Sequence, residues 1–541
     1  MKKFLSGLIL MVCLQAHSQN GPSPTPSKPK LVIGIVVDQM RWDYLYRYAE
    51  KYGQTGFKRL QTGYNCENTH IPYVPSITAP GHTCIYTGSV PAIHGIIGNE
   101  WYSREDKKVV NCVDDDAAKT VGAPGNAGNM SPQRMLTTTI TDELRMASNF
   151  HSKVIGIAAK DRGAILPAGH AANGAYWFDG KSGNWITSTF YMDTLPDWVN
   201  KFNAQKLPAK YAAGNWHTLL DISKYTESTA DDEPYERALK GEDKPVFPHM
   251  IADEVSKNPG ALIGTPWGNT ITFDFAKAVI AGEKMGKGGY TDFLTMSCSS
   301  TDYVGHQFGP NSIEAEDCYL RFDKDLGDFL SYLDKEIGAG NYLIFLSADH
   351  GAAHSVGFSD QHKIPTGAMT GDSLIKGANA YLRSKYGADS LIESYNNMQV
   401  YLHYANIKNH NLDVDAVRRD LTQYLLTVKG VAKVLNLPEL MTVVLPAPYR
   451  EAFINGYNQK RSGDVQVVYE PAHLEGYSKG TTHSAVYAYD THIPLLWYGW
   501  NVKAGHDYTP TYMTDIAATL AAMLHIQEPN GCIGKPIAVS K

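Results

Sequence analysis

The sequence predicts an α/β fold: a mostly parallel central sheet flanked by helices, with insertions that cap it. Two observations carry that reading. Short runs of β-branched and other apolar residues recur along the chain and end in polar residues, as buried parallel strands do. Between them lie longer stretches with helical spacing, and strands alternating with helices build parallel sheets. A chain of 541 residues fits three or four units, or one large domain with insertions, at roughly 150 residues per domain.

In chain order, Lys2 and Lys3 precede an apolar run from Phe4 to Leu14, and small residues follow at Ala16 and Ser18. This is the pattern of a secretory signal cleaved after Ser18, and it is too short to span a bilayer. Val12 is too bulky for a lipoprotein site at Cys13. Residues 19–29 form a Pro/Ser-rich tether without core-forming side chains, and the folded domain runs over 30–541. Its first strand is Lys30–Val37, ending in Asp38. Further strands are expected at Lys153–Ala159 before Lys160, Asp292–Cys298 before Asp302, Tyr342–Ala348 before Asp349, and His492–Trp500. Helices are expected at Thr137–Ser148, at Ile313–Ile337 behind Asn311 and Glu314 in capping-box spacing, and at Met513–Leu524. Two stretches break the alternation, at about 180–290 and about 360–480, and read as insertions over the sheet edge. The second carries a helix near Val414–Thr427 and strands near 431–437 and 465–469.

Composition removes several function classes. With 33 Tyr, 16 Phe and 9 Trp the chain has ample core material and is not disordered. With 49 Lys+Arg against 55 Asp+Glu, a formal charge of -6 excludes a nucleic-acid binder, which needs a basic surface. No later run approaches the ~20 apolar residues of a spanning helix, so no stable membrane insertion is expected. Export places the mature chain in the periplasm or outside the cell, with Cys66, Cys84, Cys112, Cys298, Cys318 and Cys532 remaining. Loop closure favours Cys66–Cys112 and Cys298–Cys318; the alternative is buried free thiols.

In open α/β sheets ligands bind beyond the carboxyl ends of the strands, and here those ends carry chemistry. Asp302-Tyr-Val-Gly-His306 sets a carboxylate and an imidazole four apart, on one face of a helical turn. Asp349 and His350 sit at the tip of a strand, Asp38 ends the first strand, and His483 shortly precedes the last strong strand. Three aspartates and three histidines from four separate segments suit two zinc-type sites with oxygen and nitrogen ligands. Each signal alone is ordinary packing or surface. Together, buried aspartates would be costly unless divalent cations neutralised them.

A candidate nucleophile lies in Val74-Pro-Ser-Ile-Thr78-Ala-Pro80-Gly-His82. Pro80 suits an early helical position, which puts Thr78 at a helix N-terminus where an anion is favoured. The hydroxyl needs activation, and metal coordination provides it; taken by itself, Thr78 reads as a helix cap. Asn99 can donate to a substrate oxygen, or be a turn residue. Lys160 and Arg162 set two cations just past a strand end, where surface salt bridging is the plain alternative. His70, His82, His94, His354 and His492 are left as structural or as supports behind the ligands, with His354 in DHGAAH the most deceptive.

These segments together resemble the alkaline phosphatase superfamily, most closely its secreted, phosphate-irrepressible type. The resemblance runs from about Pro29 to the C-terminus. It includes IVVDQMRWDYL, PSITAPGHTCIYTG, KDRGAILPAGHAANGAYWFD, STDYVGH, SADHGA, GTTHS and DIAATLAAMLHI. It implies an alkaline-phosphatase-like catalytic domain with two Zn²⁺ per chain. Asp302, His306 and His483 would hold one, and Asp38, Asp349, His350 and the Thr78 oxygen the other. It further implies hydrolysis through a phosphothreonine on Thr78, with Asn99, Lys160 and Arg162 on the phosphate. The expected substrates are small-molecule phosphate monoesters and the expected state is a monomer. Lys160 and Arg162 match the second charge of a monoester dianion, which a diester lacks.

The nearest competitor is a phosphodiesterase or nucleotide pyrophosphatase of the same superfamily, which would not need Lys160 and Arg162. A sulfatase lacks support, because Thr78-Ala-Pro80-Gly-His82 has neither the convertible Cys/Ser nor the arginine of C/S-x-P-x-R. A manganese-dependent mutase does not suit an exported chain. A reading from another class is a non-catalytic extracellular metal- or glycan-binding protein, suggested by the aromatic-rich insertions.

Overall fold

A computed structural model describes residues 28–541. The signal segment and most of the tether, residues 1–27, lie outside the described residues.

The centre is five adjacent parallel strands in the order Tyr342–Ser347, Leu31–Val37, Asp292–Cys298, Val154–Ala158 and Gly174–Asp179. All five are wholly buried, so they are apolar on both faces rather than alternating. Ile33 lies opposite Ile344 on one side and Leu294 on the other. Outside this block the sheet turns antiparallel. Asn184–Ser188 and Thr120–Val121 extend one edge, so the stretch after 180 adds a strand to the sheet and does more than cover it.

At the other edge the expected strand His492–Gly499 pairs antiparallel with both Tyr342–Ser347 and Tyr64–His70. Leu495, near its start, lies opposite Ser347, at the end of its neighbour. The segment carrying His483 therefore enters the sheet from the carboxyl edge of the parallel block, without a crossover helix, and must run the opposite way. Tyr64–His70, with polar residues Asn65, Glu67 and Thr69 inside it, gave no apolar run to read.

Two groups of mutually packed helices flank the sheet. One comprises Thr78–Thr87, Ile140–Ala147, Asp161–Ala168 and Asp515–Leu524. The other comprises Trp267–Gly282, Ser300–Phe308 and Ile313–Glu336. Thr139 caps Ile140–Ala147 in a capping box with Asp142. The long helix is capped by Ser312, which accepts the Ala315 N–H, and not by Asn311. Asn311 Oδ1 is instead 2.7 Å from His354 Nδ1, and Glu314 Oε1 is 3.1 Å from His249 Nε2. Both residues expected in the cap are thus held by histidines.

Between Tyr342–Ser347 and His492–Gly499 the chain builds a four-stranded antiparallel sheet of Ile392–Asn396, Gln399–Leu402, Val465–Tyr469 and Val431–Asn436. Helices Gly371–Tyr386 and Val414–Leu425 cover it, around a core of its own that includes Val400, Leu421 and Val465. The cysteine pairings Cys66–Cys112 and Cys298–Cys318 do not form: all six described cysteines are free thiols. Cys66 and Cys112 belong to different core clusters. Cys298 and Cys318 are wholly buried, and burial pushes both thiols far up, so they act as small apolar side chains.

Gly34 shows how tightly the central strand is covered. A Cβ there would lie 2.2 Å from Tyr86 Oη and 2.6 Å from Phe345 Cζ. Gly34→Ala is expected to lower unfolding stability by about 1–3 kcal/mol through overpacking, read as a lower denaturation midpoint. An unchanged midpoint would show that Tyr86 and Phe345 yield freely.

Candidate metal centre and active site

The parallel block brings four strand ends to one edge: Asp38 follows Val37, Lys160 follows Ala158, Asp302 follows Cys298 and Asp349 follows Ser347. Asp302 and His306 lie in the first and last turns of the helix Ser300–Phe308, one above the other as i and i+4. His306 Nε2 is 3.1 Å from Asp302 Oδ1, and His483 Nε2 is 3.8 Å from the same oxygen. His350 Nε2 lies 3.6 Å from Asp38 Oδ1 and 3.5 Å from Asp349 Oδ2. The Thr78 hydroxyl is 3.4 Å from His350 Nε2. All seven residues expected as ligands therefore meet in one chain of contacts.

Two sets have ligand atoms within 4.8 Å of one another: Asp302, His306 and His483, and Asp38, Asp302 and His350. The first matches the sequence grouping. In the second, Asp302 takes the place the sequence grouping gave Asp349, so Asp302 belongs to both sets.

The donor chemistry fits divalent cations. Each imidazole donates its Nδ1–H to a backbone carbonyl: His306 to Thr481 at 2.7 Å, His350 to Gly351 at 3.0 Å and His483 to Ser76 at 2.8 Å. That fixes the tautomer and leaves each Nε2 lone pair facing inward, the arrangement of metal-binding histidines. Asp38 Oδ1 and Asp349 Oδ2 are buried carboxylate oxygens with no hydrogen-bond partner. Such oxygens are costly unless a cation meets them.

Electrostatics agree. The rings of His350 and His483 stack at 3.5 Å, so both cannot be imidazolium cations. Burial pushes His350 down to about 4, and burial with His350 alongside holds His483 well below its ordinary value. Burial and the neighbouring Asp38 carboxylate push Asp349 well above the usual carboxylate range. Against burial, His306 and Lys160 hold Asp302 well below it.

Thr78 is the first residue of the helix Thr78–Thr87, whose N-cap is Ile77, and no side chain caps it. The cap reading of Thr78 is therefore not what its hydroxyl does. Asn99 Oδ1 accepts the Ala79 N–H at 2.9 Å, which leaves the amide NH₂ free to donate. Lys160 is the N-cap of the helix Asp161–Ala168, and Arg162 lies in its first turn. Lys160 Nζ bridges Asp38 Oδ2 at 2.7 Å and Asp302 Oδ2 at 2.6 Å over the face of Tyr303. Although burial opposes it, those two carboxylates hold the ammonium above its ordinary value. Arg162 Nε is buried without a partner.

Four further residues shape the site. Gln39 holds φ 63, left-handed backbone rare outside glycine. From there its N–H donates to Asp349 Oδ1 at 3.1 Å and its Nε2 to Asp302 Oδ1 at 2.6 Å. Arg237 donates to the His306 carbonyl and lies over Tyr477, whose ring stacks on His306. His82, read from the sequence as structural or as a support behind the ligands, donates to the Thr78 carbonyl and accepts from Ser297, with burial holding it neutral down to about 4. Gln39 had a signal in its place beside Asp38; Arg237 and Tyr477 sit in irregular loops and had none. His354 packs on Phe358, away from the cluster.

Known proteins share this arrangement. The family model for type I phosphodiesterase / nucleotide pyrophosphatase matches residues 32–492. The chain is 50% identical over 540 residues to the alkaline phosphatase PafA of Elizabethkingia meningoseptica, covering 99% of this chain and 98% of the relative. It is 50% identical over 550 residues to the alkaline phosphatase PhoV of Synechococcus elongatus, covering 98% of each. The crystal structure of wild-type PafA superposes with a TM-score of 0.94 at 50% identity, over 96% of this chain and 100% of that one. PafA has also been solved with one threonine, one asparagine, one lysine and one arginine substituted together.

Gln39→Ala removes the side-chain donor to Asp302 and keeps the strained backbone. It is expected to weaken divalent-ion affinity by about 10–100-fold, measured by chelator competition. Unchanged affinity would mean that Gln39 does not set the carboxylate.

Proposed function

The chain belongs to the type I phosphodiesterase / nucleotide pyrophosphatase family, within the alkaline phosphatase superfamily, and on that premise we propose its reaction. It is a phosphatase, as its half-identity to two alkaline phosphatases over nearly the whole chain requires. The finer reading is an exported enzyme that hydrolyses small phosphate monoesters through a phosphothreonine on Thr78, with two zinc ions per chain. One observation carries it: Thr78 sits at a helix N-terminus, 3.4 Å from the inward nitrogen of His350, among three buried aspartates. Export rests on the N-terminal residues alone. No helix among the described residues is long and apolar enough to cross a membrane.

Asp302, His306 and His483 would hold one ion, and Asp38, Asp349 and His350 with the Thr78 oxygen the other. When bound, such ions lower the pKa of a hydroxyl and stabilise a departing oxygen. The three aspartates and an ionised Thr78 balance two divalent ions in charge. Asn99 then presents its amide hydrogens to a nonbridging oxygen, while its own oxygen keeps the first turn of the nucleophile's helix in place. Lys160 and Arg162, whose Nε has no partner, supply two positive charges, which suit a monoester dianion better than a diester monoanion. Threonine, asparagine, lysine and arginine are also the residue types replaced together in the PafA variant.

Thr78→Ala is expected to cut turnover at least about a thousandfold, while elemental analysis still finds two ions per chain. A variant with near-normal turnover would remove Thr78 as the nucleophile, and one ion or none in wild type would remove the paired-ion site. Lys160→Ala with Arg162→Ala should lower kcat/KM for a monoester by about a hundredfold or more and spare its methyl diester. Equal losses on both esters would favour the phosphodiesterase reading.

A further inference from the structure

The inserted four-stranded unit and the loop bearing His483 enclose a second space. A cavity of about 200 Å³ lies between the strand Val465–Tyr469 and the segment Thr482–Asp490, with Ile77 and His483 in its wall. Ile77 immediately precedes Thr78, and His483 groups with Asp302 and His306. Among aliphatic and neutral polar residues, the wall carries an aromatic and acidic group, Phe453, Tyr469, Tyr487 and Tyr489 with Glu470, Glu475 and Asp490, beside His473, and no lysine or arginine lines it.

These groups are fixed in place. Asp490 is fully buried; its Oδ2 accepts the Ala485 N–H at 2.8 Å, and its Oδ1 has no partner. Tyr395 donates to Glu475 at 3.1 Å and lies 2.8 Å from the Tyr469 hydroxyl. Tyr487 donates to the Tyr469 carbonyl at 2.8 Å, and its ring lies 5.7 Å from that of Tyr489. Ser484, next to His483, holds φ 111, a strained conformation for a residue with a Cβ.

A buried carboxylate oxygen without a donor destabilises the fold unless a ligand meets it. A bare divalent ion is a poor occupant, since among the described residues no third metal-ligating group gathers. An anionic ligand would leave Asp490 unmatched, and a neutral donor would meet its oxygen but leave the acidic wall without a counter-charge. An organic ammonium satisfies both halves of the wall, by charge attraction to the carboxylates and by cation–π contact with the tyrosines.

We propose that this cavity is a leaving-group subsite for alcohols bearing an ammonium group, so that amino-alcohol phosphates are preferred substrates. The proposal rests on the phosphatase reading above, in which the ester oxygen departs on the side of Asp302, His306 and His483, the side this cavity adjoins.

Choline phosphate and its uncharged isostere 3,3-dimethylbutyl phosphate separate charge from shape. Wild-type kcat/KM is expected to be about tenfold higher for choline phosphate. Glu475→Gln and Tyr487→Leu should bring that ratio towards one and leave the uncharged ester's rate unchanged. Equal rates in wild type, or a full preference kept by both variants, overturn the cavity assignment alone. Failure to hydrolyse either ester overturns the phosphatase reading and the proposal with it. Without any variant, choline should inhibit hydrolysis of the uncharged ester more strongly than equimolar 3,3-dimethylbutanol; equal inhibition overturns the assignment.

Discussion

Everything around the site follows from three aspartates buried at one edge of a parallel sheet. Asp38 and Asp349 have no solvent exposure and Asp302 almost none. Taking a carboxylate out of water costs several kcal/mol even after the protein relaxes. Inside the chain the nearby counter-charges are Lys160, bridging Asp38 and Asp302, and Arg162, which sits against Asp161. One bridging ammonium cannot neutralise three carboxylates, so the deficit has to be met from outside the polypeptide. The unpartnered oxygens of Asp38 and Asp349 and the three inward Nε2 atoms mark where.

Topology forces those charges together. Four neighbouring parallel strands end at the same level, so whatever residue follows each strand joins its neighbours whether or not the electrostatics favour it. The fifth contribution arrives differently. The His483 segment crosses that edge because the strand after it runs antiparallel, which lets one loop both supply an imidazole and border the inserted unit. Gln39 then ties the set together at the cost of left-handed backbone. A Cβ on Gly305 would lie 2.0 Å from its side-chain oxygen, so the helix that carries Asp302 and His306 is pressed against it.

The sequence made the parallel block legible because wholly buried strands must be continuously apolar, and it made the aspartates legible because they end those strands. It made the strand Tyr64–His70 illegible for the same reason, since Asn65, Glu67 and Thr69 interrupt the run. Direction was hidden as well: nothing in HIPLLWYGW distinguishes an antiparallel strand from a parallel one. Asn311 and Glu314 sat at capping-box spacing, yet tertiary contacts with His354 and His249 overrode the local preference. Cysteine spacing said nothing of pairing, because loop length does not record which core each thiol packs into. Arg237 and Tyr477 hold His306 from loops without periodicity, and only the folded chain brings them there.

Lys160 links the two charge problems of the site. Asp38 and Asp302 hold its ammonium at 2.7 and 2.6 Å, a contact that serves the fold. In the proposed reaction, divalent ions that balanced those carboxylates would weaken its attraction to them and leave its charge for the phosphate. On that reading one lysine serves both the fold and the substrate. Arg162 lies 3.7 Å from Asp161 through one terminal nitrogen, and its Nε has no partner. On the proposed reading, preference for a dianionic ester would depend on how completely the aspartates are neutralised as well as on Lys160 and Arg162.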